Sequence, residues 1–121
     1  MASVNKLVAQ SGGISGASGQ TSAVSLESLT ENFIPTVQVS AIGAGTALAV
    51  KLQHSPDGTY WKDAATLENV SGGTSLNAVG ILLKELAATV PLYGNVRFTW
   101  TLTGGTTTAT AIFSVYYDKK R

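Results

Sequence analysis

The chain contains no cysteine and few charged residues. Without cysteine it can form neither disulfide bonds nor thiolate metal sites, and a cysteine nucleophile is excluded. Charged residues make up 12% of the 121 residues, and the formal net charge is +1. So weak a charge provides no electrostatic field that would attract nucleic acid. We therefore expect no nucleic-acid partner.

Long hydrophobic runs are also missing. The longest nearly apolar stretch, residues 78–83, is far shorter than the roughly 20 residues of a membrane-spanning helix. Residues 1–6 lack the apolar core of a signal peptide. We expect no membrane partner and no export, so synthesis and assembly would take place in the cytoplasm.

Catalytic groups are scattered rather than clustered. His54 is the single histidine, and it would point to the opposite strand face from Ser55, which argues against a triad with Asp57. The seven carboxylates occur singly, without the pair of a glycosidase or the alternating acids of a calcium loop. We expect no enzyme activity, no catalytic residues, no cofactor, no metal and no small-molecule substrate.

The amino-terminal residues have a composition of their own. Residues 11–20 are rich in glycine and serine, and such a segment buries too little apolar surface to offset the entropy lost on ordering. We predict a flexible arm over residues 1–20 and a single domain over residues 21–121. The arm is either an untethered terminus or a segment that orders on another subunit. Its aliphatic side chains are the candidate subunit contacts: Val4, Leu7, Val8 and Ile14.

From residue 21 onward, apolar and polar residues alternate with a period of two. The clearest case is residues 46–54, where Leu48, Val50 and Leu52 would face a core. This alternation is typical of antiparallel strands with one solvated face. Residues 75–93 fit a strand with a loop, or a short helix, and we favour the strand. In total, residues 21–121 contain about seven or eight short strands. This number predicts an all-β fold, an antiparallel β-sandwich or jelly roll.

Two hairpins are predicted, over residues 46–67 and over the last 28 residues. The first turns at Pro56, which fixes φ, and at Asp57-Gly58, which tolerates positive φ. We expect Trp61 to pack across this hairpin onto Leu52 and Trp100 to lie in the core. The alternative for the aromatic residues is an exposed platform that stacks on sugars or bases.

The run from Leu48 to Trp61 resembles a pattern of small phage virion proteins, in which a hydrophobic strand ends in Ser-Pro-Asp-Gly-x-x-Trp. Residues 93–104 and 111–115 resemble the two strands that follow in that pattern. The resemblance covers residues 46–117 and is to the capsid decoration, or cement, proteins of tailed phages. It implies a β-sandwich without catalytic residues, in which Arg97 pairs on the exposed face of a sheet.

The resemblance also implies a function. The protein would be made in the host cytoplasm, bind the major capsid protein on the outside of the shell, and stabilise it as a homo-oligomer, with a trimer favoured. One alternative is a tail or fibre-associated β-sandwich virion protein. The other is a carbohydrate-binding module, which an exposed pair of coplanar aromatic rings would favour.

Overall fold

The computed structural model describes residues 3–25, 30–85 and 94–119. Over these ranges the chain forms strands and no helix, so none of them belongs to a helix that could cross a membrane. The strands are β1 (Ser3–Ser15), β2 (Ser18–Gln20), β3 (Val24–Ser25), β4 (Thr30–Ile42), β5 (Ala47–Ser55), β6 (Lys62–Thr66), β7 (Gly80–Leu83), β8 (Asn95–Thr103) and β9 (Thr108–Lys119).

The strands form two antiparallel sheets, and the prediction of an all-β sandwich is confirmed. Sheet A has the order β1-β9-β4-β7, and sheet B has the order β2-β8-β5-β6 with β3 also paired to β8. The hairpin predicted over residues 46–67 is present as β5 with β6. The hairpin predicted over the last 28 residues is wrong, because β8 and β9 belong to opposite sheets and the chain crosses from sheet B to sheet A between them. The ambiguous segment forms the short strand β7, while residues 86–93 lie outside the described ranges. Residues 24–25 form the short strand β3, and residues 26–29 also lie outside the described ranges.

The core lies between the two sheets and follows the alternation of the sequence. On β5 the side chains of Leu48, Val50 and Leu52 are buried while Lys51 is exposed. Phe98 on β8 and Phe113 on β9 meet across the sandwich, with ring centroids 5.7 Å apart and planes inclined by 57°. Each fully buried side chain of this size contributes about 1.5–3 kcal/mol through removal of apolar surface from water. The core therefore holds the two sheets together.

Trp100 lies on the inner face of β8, and it is 7% exposed. Its register partner is Gly19 on the edge strand β2. A Cβ atom at position 19 would overlap with Cζ2 of the indole and would lie 2.8 Å from Cε2. Only glycine leaves room there for the ring. The buried Nε1 of Trp100 has no hydrogen-bond partner among the described residues, so the indole is held by packing.

The segment that the composition predicts as a flexible arm forms strand β1. It pairs antiparallel with β9 from Ser3 to Ser15, with one irregularity between Val8 and Gln10. Strand pairing uses backbone N–H and C=O groups, which glycine and serine supply as well as other residues do. Ile14 adds an apolar anchor, since it is 6% exposed and belongs to the core. The sandwich thus begins at Ser3 rather than at residue 21.

The fit of Trp100 against Gly19 predicts a position-specific effect of adding a methyl group. Gly19→Ala should lower the free energy of unfolding by about 1–3 kcal/mol, because the indole must move out of a packed site. Gly13→Ala on β1 is the matched control, since the nearest atom to its Cβ would be the Ala109 carbonyl oxygen at 3.9 Å. Urea unfolding followed by tryptophan fluorescence measures both variants. Equal free energies of unfolding for the two variants would contradict the close fit of the Trp100 ring against Gly19.

Candidate functional site

The described residues contain no group of three or more histidine, aspartate or glutamate side chains placed to hold a metal ion. The candidate sites are therefore surfaces. Two are built from residues that the sequence singles out: the turn after β5 with the adjoining outer face of sheet B, and the free edge of β1.

The turn after β5 is organised by the side chain of Ser55, which is fully buried. Its hydroxyl donates to Asp57 Oδ1 at 2.9 Å and accepts from the backbone N–H of Gly58 at 2.9 Å. The backbone of Gly58 has φ of +76°, in the region that glycine adopts without strain. Pro56 is exposed at the tip of the same turn. These four residues form the reversal that the Ser-Pro-Asp-Gly motif predicts.

Asp57 extends the turn beyond the motif. Its Oδ1 also accepts from the backbone N–H groups of Thr59 and Tyr60, at 2.9 and 3.0 Å. Hydrogen bonds from Tyr60, Thr59 and Ser55 stabilise the carboxylate and lower the pKa of Asp57 below its ordinary value. Because residues 59 and 60 are held in the turn, the second strand of the hairpin, β6, begins only at Lys62. The carboxylate is thus engaged in holding the turn.

His54 lies at the end of β5, directly before this turn. Its pKa is lowered from 6.5 by burial and, to a smaller extent, by the positive charge of Lys62, its register partner on β6. A group whose pKa is lower in the folded chain disfavours folding when it is protonated, so acidification below pH 6.5 weakens this end of the hairpin. The Ser55 hydroxyl donates to Asp57, so its proton is already engaged.

The ring of Trp61 lies beside Arg97, and Leu52, its predicted packing partner, is buried in the core. The guanidinium carbon of Arg97 is 4.3 Å from the centroid of the Trp61 ring, close enough for a cation–π contact of about 0.5–1 kcal/mol. Arg97 stands opposite Gln53 in the pairing of β8 with β5. The sequence predicts Arg97 on an exposed face but cannot identify Trp61 as its partner, because the contact depends on how β6 is placed beside β5.

A chain of polar contacts continues from Arg97 across sheet B. Arg97 Nε donates to Gln53 Oε1 at 2.9 Å, and Gln53 Nε2 donates to Asp63 Oδ1 at 2.9 Å. The other carboxylate oxygen of Asp63 lies 3.6 Å from Lys51 Nζ. We call these five residues the polar strip: Trp61, Arg97, Gln53, Asp63 and Lys51.

Part of the polar strip borders a groove on the outer face of sheet B. The groove has a volume of about 380 Å³, and it is lined by Lys51, Gln53, Asp63, four threonines, and the apolar residues Ala49 and Val50. The threonines are Thr66, Thr74, Thr99 and Thr101. Alternation along β5 and β8 places these side chains opposite the core, which leaves the outer face of sheet B polar.

The four residues predicted as subunit contacts all lie on β1, but they differ in surroundings. Ile14 is buried in the core, whereas Val8 is 47% exposed. Val4 and Leu7 stand opposite Asp118 and Val115 of β9, and the structure describes their backbone alone. Among the four, Val8 is therefore the residue whose apolar side chain the structure shows to be exposed.

Three further large side chains are exposed: Tyr60 at 78%, Val70 at 88% and Val79 at 66%. Val70 follows Asn69, whose Oδ1 accepts from the backbone N–H groups of Ser71 and Gly73 at 2.8 and 3.1 Å. The loop that carries Val70 is thus internally bonded. The sequence does not mark Val70 and Val79 as exposed, because exposure of a single valine leaves no periodic signal.

No model of a known protein family and no curated protein sequence matches this chain. Among solved structures, a chain of the infectious bursal disease virus T13 particle superimposes with a TM-score of 0.62 at 12% identity, over 98% of this chain and 31% of that one. The VP2 subviral particle of the same virus gives a TM-score of 0.59 at 13% identity, over 98% of this chain and 33% of that one.

The SPBc2 prophage-derived protein YomS matches with a TM-score of 0.58 at 7% identity, over 97% of this chain and 95% of that one. At such identities the similarity shows a shared fold alone. The chain spans about a third of the length of the viral particle chains, at 31% and 33%, and nearly the whole of YomS.

The hydrogen bonds of Ser55 predict that its hydroxyl supports the turn. Ser55→Ala should lower the free energy of unfolding by about 1–2 kcal/mol, because the N–H of Gly58 loses a buried acceptor. Ser40→Ala is the control, since the Ser40 hydroxyl is exposed and makes one bond of 3.3 Å to the Thr110 carbonyl. Urea unfolding should show a change below about 0.5 kcal/mol for the control. Indistinguishable midpoints for the two variants would exclude this role of Ser55.

The lowered pKa of Asp57 predicts an acid-dependent contribution to stability. Ionised Asp57 favours the folded state above pH 3.8, and this contribution is lost as the pH falls through the lower folded value. Asp57→Asn keeps an acceptor oxygen but removes the charge. The urea midpoint of the wild type should therefore exceed that of Asp57→Asn at about pH 7, and the difference should shrink near pH 2. If the difference between the two urea midpoints did not change with pH, the charge of Asp57 would not contribute to the stability of the turn.

Proposed function

We propose that this protein is a structural component of a virus particle that binds the outside of a capsid shell and stabilises it. The observation that carries the proposal is the sandwich fold, shared with chains of a viral particle and, over nearly the full length of both chains, with a prophage-derived protein. The resemblance of residues 46–117 to phage decoration proteins supports the same role. The partner is then the major capsid protein.

The free edge of β1 is the element best suited to attachment. β1 is 13 residues long, and no described strand pairs with its outer edge. Lys6 is its single charged residue. Proteins that act alone commonly protect such edges with charges, because unpaired backbone groups recruit strands from other chains. A strand of a shell subunit that adds to this edge would satisfy those groups by β-augmentation.

Val8 supplies apolar contact at this edge. Its side chain is 47% exposed, and it points to the outer face of sheet A, as does Ser114, its register partner on β9. Contacts of this kind are apolar and backbone-mediated. With a net charge of +1, attachment should depend only mildly on salt.

Stabilisation of the shell then follows from mass action. A protein that binds assembled subunits, and not dissociated ones, shifts the equilibrium toward the assembled state. A homo-oligomer engages several shell subunits at once and gains from effective concentration, so weak individual contacts suffice. A trimer matches the threefold positions of an icosahedral shell.

The test is the thermal stability of particles lacking this protein, with and without the purified full-length chain. We expect many copies to bind each shell and raise the temperature at which it opens. Val8→Lys should weaken binding, because it places a charge in the apolar contact. Val70→Lys is the matched control, since it changes an equally small aliphatic residue that is 88% exposed and lies outside sheet A.

Two outcomes would contradict the proposal. Full-length protein that leaves the melting of the shell unchanged would exclude stabilisation. Protein found only at the tail of the particle would favour the tail or fibre-associated alternative. Equal binding of Val8→Lys and Val70→Lys, with the shell still stabilised, would retain the function but exclude the β1 edge as the point of attachment.

A further inference from the structure

The groove on the outer face of sheet B lies on the opposite side of the sandwich from sheet A and is not needed for attachment through β1. Its volume of about 380 Å³ falls in the range of small-ligand sites, about 300–1,000 Å³. Four threonine hydroxyls line it, and each hydroxyl can both donate and accept a hydrogen bond.

The polar strip beside the groove is held in place before any ligand arrives. The Gln53 amide is fixed at both ends, because Oε1 accepts from Arg97 and Nε2 donates to Asp63. Toward the described residues, each of these side chains still has unused capacity: Gln53 keeps one N–H, Asp63 keeps lone pairs, and Arg97 keeps the N–H groups of its two terminal nitrogens. Because these side chains are already ordered, they lose less conformational entropy when a ligand binds.

The charges around the groove indicate a neutral ligand. One cation, Lys51, and one anion, Asp63, line it, and they lie 3.6 Å apart. Arg97 at one end adds a single positive charge, which is held against the Trp61 ring. Binding of a nucleic acid or another polyanion depends on many cationic contacts. A purely apolar ligand would contact Ala49 and Val50 but would leave the hydroxyl, amide and charged groups of the lining without water and without new partners.

The hydrogen-bonding pattern of the groove indicates which class of neutral ligand would fit. Neighbouring donors and acceptors on planar amide, carboxylate and guanidinium groups match a pair of adjacent hydroxyls on a sugar ring. Trp61 is part of the polar strip, and Tyr60, its neighbour in the sequence, is 78% exposed. An exposed aromatic ring offers an apolar face to the C–H side of a sugar ring. We infer that the groove of sheet B and the polar strip beside it bind a neutral oligosaccharide.

Nuclear magnetic resonance titration of the full-length chain with defined sugars tests this site. The probes are the neutral linear hexasaccharides of β-1,4-glucose, α-1,4-glucose, β-1,4-xylose and β-1,4-N-acetylglucosamine, with a heparin hexasaccharide as the anionic probe. At least one neutral probe should shift the backbone amides of Lys51, Gln53, Thr99 and Thr101 at concentrations up to about 10 mM.

Gln53→Ala should weaken that binding by about tenfold or more, because it removes the amide and releases Arg97 and Asp63. Gln38→Ala is the matched control, since Gln38 is an exposed glutamine in the middle of strand β4 on the outer face of sheet A. The control should retain the affinity of the wild type. An unchanged spectrum of folded amides elsewhere shows that Gln53→Ala keeps the sandwich.

Three results would overturn the inference. One is the absence of shifts in the groove with all four neutral probes. Another is binding of the heparin probe alone, which would assign the surface to anions. The third is an equal loss of sugar affinity in Gln53→Ala and Gln38→Ala. Each leaves the shell-melting experiment unaffected, since that experiment uses Val8 on the other sheet.

Discussion

The contact between Phe98 and Phe113 joins the two strands on which the sandwich depends. β8 lies inside sheet B, paired with β5 on one side and with β2 and β3 on the other, and β9 lies inside sheet A between β1 and β4. The two rings connect these central strands, and the outer strands β6 and β7 join the sheets through β5 and β4. Because both rings are fully buried, a change in either would be felt in both sheets.

The inner faces of both sheets are apolar, but the outer faces of the two sheets differ in polarity and burial. Sheet B presents the polar strip and the threonine-lined groove. On sheet A, Ser114 is fully buried although alternation along β9 directs it away from the core. Its Oγ has no hydrogen-bond partner among the described residues. Thr36, its neighbour on β4, is also buried, at 2% exposure. Burial therefore reaches the outer face of β9 as well as its inner face.

The period-two pattern was sufficient to predict the strands whose inner faces carry large apolar residues. It placed Leu48, Val50, Leu52 and Trp100 on inner faces, where the structure has them. It could not predict β1, because glycine and serine pair through the backbone without a hydrophobic period. The polar strip depends on the register between β5, β6 and β8, which a linear pattern does not contain. The length of the turn depends on one oxygen, Asp57 Oδ1, which binds two further N–H groups.

The irregularity in β1 changes the shape of the edge that we propose for attachment. Ala9 has no partner in the register with β9, so the strand carries an extra residue between Val8 and Gln10. A bulge of this kind bends a strand and increases its local twist. The outer edge is thereby divided into two short segments, neither of which extends along the whole sheet. Sheets that join edge to edge through long straight strands grow into open fibres. A bent edge favours short contacts that end after one partner, which suits a particle of finite size.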